Sequence, residues 1–176
     1  MSKVSKARGL DRGKRPYTDA KIRALLAGPA DAEITDAMLL AALSGVRLEE
    51  LYRLRVADAA DGWLAIRASK SAAGLRRAPV HPALAEIVQR RTAGEAADVF
   101  LMDEAGPTKP NRERSAVFSK AFGRYRHRCG VHDKREGERS SAVDFHSFVA
   151  GSSRPRLMPG TAGRLSPPWS GTRRRM

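Results

Sequence analysis

The chain has 176 residues, with 33 Lys and Arg against 19 Asp and Glu, and a formal net charge of +14. That length suits one domain with a real core, at most one domain plus tails. The longest unbroken apolar run, residues 37–43, is far shorter than the ~20 residues of a membrane span, and no apolar stretch follows the basic N-terminus as it would in a secretory signal.

A lone cysteine, Cys129, excludes an internal disulfide framework and a Cys-built zinc site. These features predict a cytoplasmic protein. The positive charge points to a polyanion, most simply nucleic acid. Charge alone speaks only of solubility and non-specific binding, so an activity has to be sought in motifs.

Residues 1–16 read as a flexible basic arm. Lys3, Lys6, Arg8, Arg12, Lys14 and Arg15 occur there without apolar periodicity, in a form suited to phosphate contact. Order is expected from Tyr17. Thr18 is placed to cap a helix that carries Ile22, Leu25 and Leu26 and ends at Gly28-Pro29. Thr35 is placed to cap a second, with Met38, Leu39, Leu40 and Leu43 buried and Ser44-Gly45 as its break. A short third helix carries Leu48, Leu51, Tyr52 and Leu54, and Asp61-Gly62 reads as a turn.

The period then changes. Trp63, Leu64 and Ile66 suggest a strand, residues 71–74 a hairpin loop and residues 77–80 a return strand. His81-Pro82 opens a helix with Leu84, Ile87 and Val88 apolar. Val99-Phe100-Leu101 is a short apolar segment, followed by a Gly/Pro loop to Pro110. A helix is predicted from Asn111 to about Arg128. Its Phe118, Phe122 and Tyr125 read as core rather than as a base-stacking platform, and its other face carries Arg114, Lys120, Arg124 and Arg128. Residues 132–141 form a charged loop, and residues 143–148 begin a new element. Residues 149–176 hold six Arg, four Pro, four Gly and four Ser with no acidic residue, and show no helical or strand period. That composition predicts disorder.

No phosphate-loop, HExxH or Cys/His cluster occurs. Three features stand out. The first is Gly45-Val46-Arg47-Leu48-Glu49-Glu50-Leu51, which puts an arginine at a helix start, a place that favours an anion. The second is Lys70 on the hairpin, followed by Gly74, Arg76, Arg77 and Pro79-Val80-His81. The third is Asp144-Phe145-His146-Ser147-Phe148. Singly, they read as a surface arginine, a solvated turn and a structural histidine.

In this order and spacing the three resemble the catalytic domain of the tyrosine recombinase (phage integrase) family, over about residues 16–148. The family pattern reads "tGlRxxEl", then a hairpin "sKtxagxRxvPlh", then "HsfR". The resemblance implies an α+β, mainly α, fold with a small β-hairpin or three-stranded sheet. It implies action on double-stranded DNA in the bacterial cytoplasm or nucleoid, without metal or cofactor. A tyrosine attacks a backbone phosphate and forms a 3′-phosphotyrosyl bond that conserves the energy for rejoining, while fixed cations stabilise the charged transition state.

By resemblance, Arg47 is the first catalytic arginine, whose fork suits phosphate oxygens, and Glu50 is the buried acid that supports the site. Lys70 is the general acid to the leaving 5′ oxygen, and His146 is the histidine of the HxxR motif. Arg76, Arg77, Lys14 and Arg15 are expected to contact DNA. Arg47, Lys70 and His146 are expected to converge on one basic face. The family assembles as tetramers on DNA through C-terminal segments that this sequence does not show.

The sequence departs from the family at the end of the third motif. Val149 stands where the second arginine is expected, and the later Gly-His motif is missing. The tyrosines are Tyr17, Tyr52 and Tyr125, all upstream of His146. Back-translation accounts for the departure. Read two bases later, the codons of residues 149–154 permit Gly-Trp-Phe-Ile-Thr, Met158-Pro159 forces an alanine, Trp169-Ser170 permits a valine, and residues 170–172 permit Gly-His. Loss of one base after codon 148 from TTC-CGT-GGC-TGG yields Phe148-Val149-Ala150-Gly151 and removes the arginine. Residues 149–176 are thus expected to be an out-of-frame tail on a catalytic domain incomplete at its C-terminus, and the chain is expected not to cleave DNA.

Overall fold

The computed structural model of the chain describes residues 14–67, 75–102, 113–133 and 141–151. The described chain starts with two contacts to the segment just before His146. The Arg15 amide donates to the Ala142 carbonyl at 2.8 Å, and Lys14 Nζ donates to the Ser141 carbonyl at 2.7 Å. The rest of the predicted arm, the hairpin loop with Lys70, the Gly/Pro loop, most of the charged loop and the tail from residue 152 lie outside the described residues.

Helix α1 (Asp19–Ala27) starts where Thr18 accepts a hydrogen bond from the Lys21 amide, as its cap chemistry predicts. It buries Leu25. Leu26, expected inside, is exposed, because a turn of 100° per residue carries it off the narrow stripe that meets the core. Helix α2 (Ala32–Ser44) begins ahead of the expected Thr35 cap. Asp31 accepts from the Ile34 amide at 2.8 Å and takes the start, and the Thr35 hydroxyl donates back to the Asp31 carbonyl instead. Gly45, at φ 67°, closes the helix in the left-handed region, where a side chain would be strained.

Helix α2 is the spine of the molecule. It buries Ile34, Ala37, Met38, Leu40 and Ala41, and both α3 (Leu48–Arg53) and α6 (His146–Gly151) pack against it. Its buried Asp36 is held by Arg90 at 2.8 Å and Arg91 at 2.6 Å, both from α4 (Ala85–Thr92). The predicted opening of α4 at His81-Pro82 resolves into a 3-10 turn, Pro82–Leu84, capped by His81, before the α-helix proper.

A three-stranded antiparallel sheet lies in the order β1 (Ala59–Ala60), β2 (Trp63–Ile66), β3 (Arg76–Pro79). Asp61 (φ 53°) and Gly62 (φ 77°) form the two-residue turn between β1 and β2, the left-handed pair that matches strand twist. Leu64, Ile66 and Ala78 turn one face of the sheet into the core.

Helix α5 (Ala116–Arg128) starts at Ala116 rather than Asn111. Glu49 accepts from the Arg114 and Ser115 amides at 3.3 and 3.1 Å, which holds that segment as a turn. Phe118, Phe122 and Tyr125 are buried as predicted. Phe145 meets Phe118 and Phe122 edge-on at centroid distances of 5.4 and 5.1 Å, and Phe148 meets Tyr17 at 4.8 Å. These contacts pin α6, which runs on to Gly151, past the predicted boundary at residue 148.

Candidate phosphate-binding site

Arg47 sits between the left-handed Gly45 and the first turn of α3, as the N-terminal cap of that helix. Its amide donates to Glu50 Oε2 at 3.0 Å and its Nη1 to Glu50 Oε1 at 3.1 Å. Glu50 therefore uses the helix start itself, and the guanidinium is left as the group that meets solvent. The Arg47 side chain is 57% exposed and that of Glu50 only 6%.

Arg76 completes the arrangement. It reaches Glu50 Oε2 at 3.0 Å and Oε1 at 3.3 Å, and the Gly45 carbonyl at 3.2 Å. Strand alternation explains why. Arg76 pairs with Ile66 and shares the inward face of β3 with the buried Ala78, so its guanidinium is drawn to the nearest buried acid. Arg77 points the other way and lies over the exposed Trp63 ring at 5.1 Å. The two arginines, equivalent in the sequence, have different surroundings.

Burial alone would raise the Glu50 carboxyl. The hydrogen bonds from Arg76 and the Arg47 amide, with the Arg76 charge, outweigh it and hold the group below the ordinary glutamate range. Glu50 is thus an ionised anchor that locks one edge of the Arg47 fork and leaves the rest of the guanidinium toward solvent.

His146 opens α6. Its amide donates to Asp144 Oδ1 at 2.9 Å, and the Asp144 amide donates to Ser147 Oγ at 3.0 Å. The flanking Phe145 and Phe148 are buried, so the His146 side chain is turned outward and is exposed. Arg47 and His146 are borne by segments that both adjoin α2, while Lys70 lies outside the described residues. Lys14 pairs with Asp144 at 3.3 Å and Arg15 with Asp133 at 3.8 Å, exposed pairs that contribute little to stability.

Two roles were not visible in the sequence. Glu49, neighbour of the predicted acid, organises the start of α5 and accepts from Arg53 Nε at 2.8 Å. Arg114, expected on the outer face of α5, precedes the helix and lies over the Phe100 ring at 3.5 Å. The adjacent Glu49-Glu50 pair was the available signal for the first. Among the described residues no group of three or more His, Cys, Asp or Glu could hold a metal ion, and no helix is long and apolar enough to cross a membrane.

No family model and no curated protein sequence matches the chain. Solved structures do. It resembles XerA recombinase at 16% identity and TM-score 0.55, covering 85% of this chain and 51% of that one. It resembles a lambda integrase (residues 75–356) dimer bound to a COC′ core site at 22% identity and TM-score 0.58, covering 84% and 53%. A lambda integrase tetramer bound to a Holliday junction gives 23% identity and TM-score 0.55, covering 84% and 43%. These likenesses give the chain a tyrosine recombinase-like fold. More narrowly, that fold is the mainly helical kind with a three-stranded antiparallel sheet, and the chain spans about half the length of the structures it matches.

Proposed function

We propose that this chain is a catalytic-domain relative of the tyrosine recombinases that grips the backbone of double-stranded DNA and does not cut it. The observation that carries the reading is the exposed Arg47 guanidinium locked on one side by buried Glu50, which Arg76 braces from its other side. A fixed cationic fork of this kind fits a phosphodiester oxygen pair. The DNA-bound state of the lambda integrase structures, the net charge of +14 and the order of the three sequence motifs support it.

In this reading the intact family reaction is site-specific recombination or integration through a 3′-phosphotyrosyl intermediate. Arg47 holds the phosphate, Glu50 positions Arg47, Lys70 protonates the leaving 5′ oxygen, and His146 assists at the phosphate. Arg77, Lys14 and Arg15 add backbone contacts, and Arg76 contributes through the site it braces. Residues 17–148 are the partial catalytic domain, preceded by the basic arm and followed by an out-of-frame tail.

Two features support inactivity. Val149 supplies no guanidinium, and loss of one such donor costs ~10²–10³ in rate. Tyr17, Tyr52 and Tyr125 are all buried, and burial holds the Tyr17 and Tyr125 phenols above their ordinary value, away from the phenolate a nucleophile needs. The chain would then act as a non-catalytic occupant of recombination sites.

The test is binding of a fluorescent duplex across a salt series, with a denaturing gel for covalent adducts. Arg47→Ala is expected to weaken binding and to lower the slope of log affinity against log salt by about one, and the unmodified chain to form no adduct. Unchanged affinity and slope in Arg47→Ala would overturn the binding site, and a covalent DNA–protein band would overturn the inactivity.

A further inference from the structure

We infer that a pocket at the far end of α3 from Arg47 is a second anion site, built for a phosphate ester. The pocket is about 500 Å³, and Arg53, Arg55, Arg67 and Arg114 line it with Asp58 and Phe100. Four guanidiniums thus meet one carboxylate in the lining, with Glu49 behind Arg53 as a second. The arginines come from the end of α3, the segment after it, the residue that follows β2 and the turn before α5. Segments so distant in sequence bring like charges to one cavity only at a Coulombic cost, which an anion in the cavity offsets.

The geometry leaves donors for such an anion. Arg114 and Arg55 lie over the Phe100 ring at 3.5 and 4.7 Å. Arg55 also donates through Nη1 to the Asp98 carbonyl and Arg114 through Nε to the Tyr52 carbonyl at 3.1 Å, so these two hold the wall of the cavity and the anion's donors are those of Arg53 and Arg67. Arg53 is anchored through Nε to Glu49 at 2.8 Å, and Arg67 through Nε to Asp58 at 2.5 Å. Their terminal amino groups have no partner among the described residues, and the side chains are 49% and 74% exposed. Asp58 is already engaged, since it also accepts from the Arg55 amide at 3.0 Å.

A carboxylate offers two oxygens and one charge, which a single arginine satisfies. Several arginines around one cavity match a phosphate monoester, with three terminal oxygens and up to two charges, or two successive backbone phosphates of DNA. The volume leaves room for the group esterified to the phosphate. The phosphate can belong to a DNA backbone or to a free phosphate compound. The inference does not depend on the recombinase reading.

The experiment titrates the full chain with inorganic pyrophosphate by calorimetry, and in parallel with a fluorescent duplex across a salt series. The variants are the double Arg53→Gln/Arg67→Gln, the single Arg23→Gln as an exposed charge removed elsewhere, and Arg47→Ala. Saturable pyrophosphate binding is expected. The double variant should weaken it about tenfold or more, and Arg23→Gln should leave it in place. No saturable binding, binding that survives in the double variant, or equal loss in Arg23→Gln overturns the inference.

If the double variant also lowers the duplex salt slope by about two, the phosphate is that of DNA. If it loses pyrophosphate with the slope unchanged, a free phosphate compound is the ligand, and the site stands. Arg47→Ala reports separately on the proposed DNA grip, so the two readings fail independently.

Discussion

Glu50 carries more of the site than its place in the motif suggests. It receives the Arg47 amide and guanidinium and both terminal nitrogens of Arg76, and its removal strands two guanidiniums beside a mostly buried position. Glu50→Gln is expected to cost on the order of 2 kcal/mol at neutral pH, read by urea unfolding. The acid dependence has a definite sign. The folded carboxyl titrates below its ordinary value of 4.5, so in mild acid the unfolded chain binds the proton first. The stabilisation is fully present above 4.5 and is lost as pH falls through the lower folded value. Unfolding midpoints measured down a pH series should therefore converge for the wild-type chain and Glu50→Gln below that window. A gap that stays constant to acid pH would show that Glu50 is not ionised in the fold. Glu50 was legible through the resemblance alone, which makes it the buried acid that supports the site. The role of Arg76 was not, since an arginine beside an arginine gives no sign of which one the strand turns inward.

Elements were legible wherever a local signal had no rival. The Thr18 cap, the Gly45 stop, the Asp61-Gly62 turn and the aromatic stripe of α5 all lie as their residues predict. Boundaries shifted where two caps competed or a distant group intervened. Asp31 outbid Thr35, and Glu49 set the start of α5 from across the chain. Gly28 shows the same long-range control. A Cβ there would lie 2.5 Å from Cys129 Sγ and 2.6 Å from the Tyr125 hydroxyl oxygen. Tyr125 is fully buried, and its hydroxyl donates to the Leu25 carbonyl, so it has little room to yield. Gly28→Ala is expected to cost about 1–3 kcal/mol through overpacking. The pair Gly28→Ala/Cys129→Ala should recover part of that loss, a non-additivity that a double-mutant cycle in urea reads directly. Additive losses would mean that α1 and the end of α5 do not press on this glycine.

At the scale of the whole molecule, the fold matches recombinase structures over 84–85% of the chain while spanning about half of each of them. The mainly helical fold with its small sheet was readable from the change of period after Gly62 and from the three ordered motifs. Whether Arg47, Lys70 and His146 form one face was not, because convergence depends on tertiary packing that no local pattern encodes. The composition breaks at residue 149, where the proposed lost base falls, although α6 continues to Gly151. Val149, Ala150 and Gly151 carry no group that forbids a last helical turn, so helix and shifted frame are compatible. The most direct measurement is the nucleotide sequence from codon 148 onward. The frame two bases on is expected to run without a stop through Gly-Trp-Phe-Ile-Thr and Gly-His to a tyrosine codon. Restoring the base should then return an arginine to position 149 and covalent DNA cleavage to the protein. A stop codon early in that frame, or codons that break the pattern, would contradict the proposed frameshift.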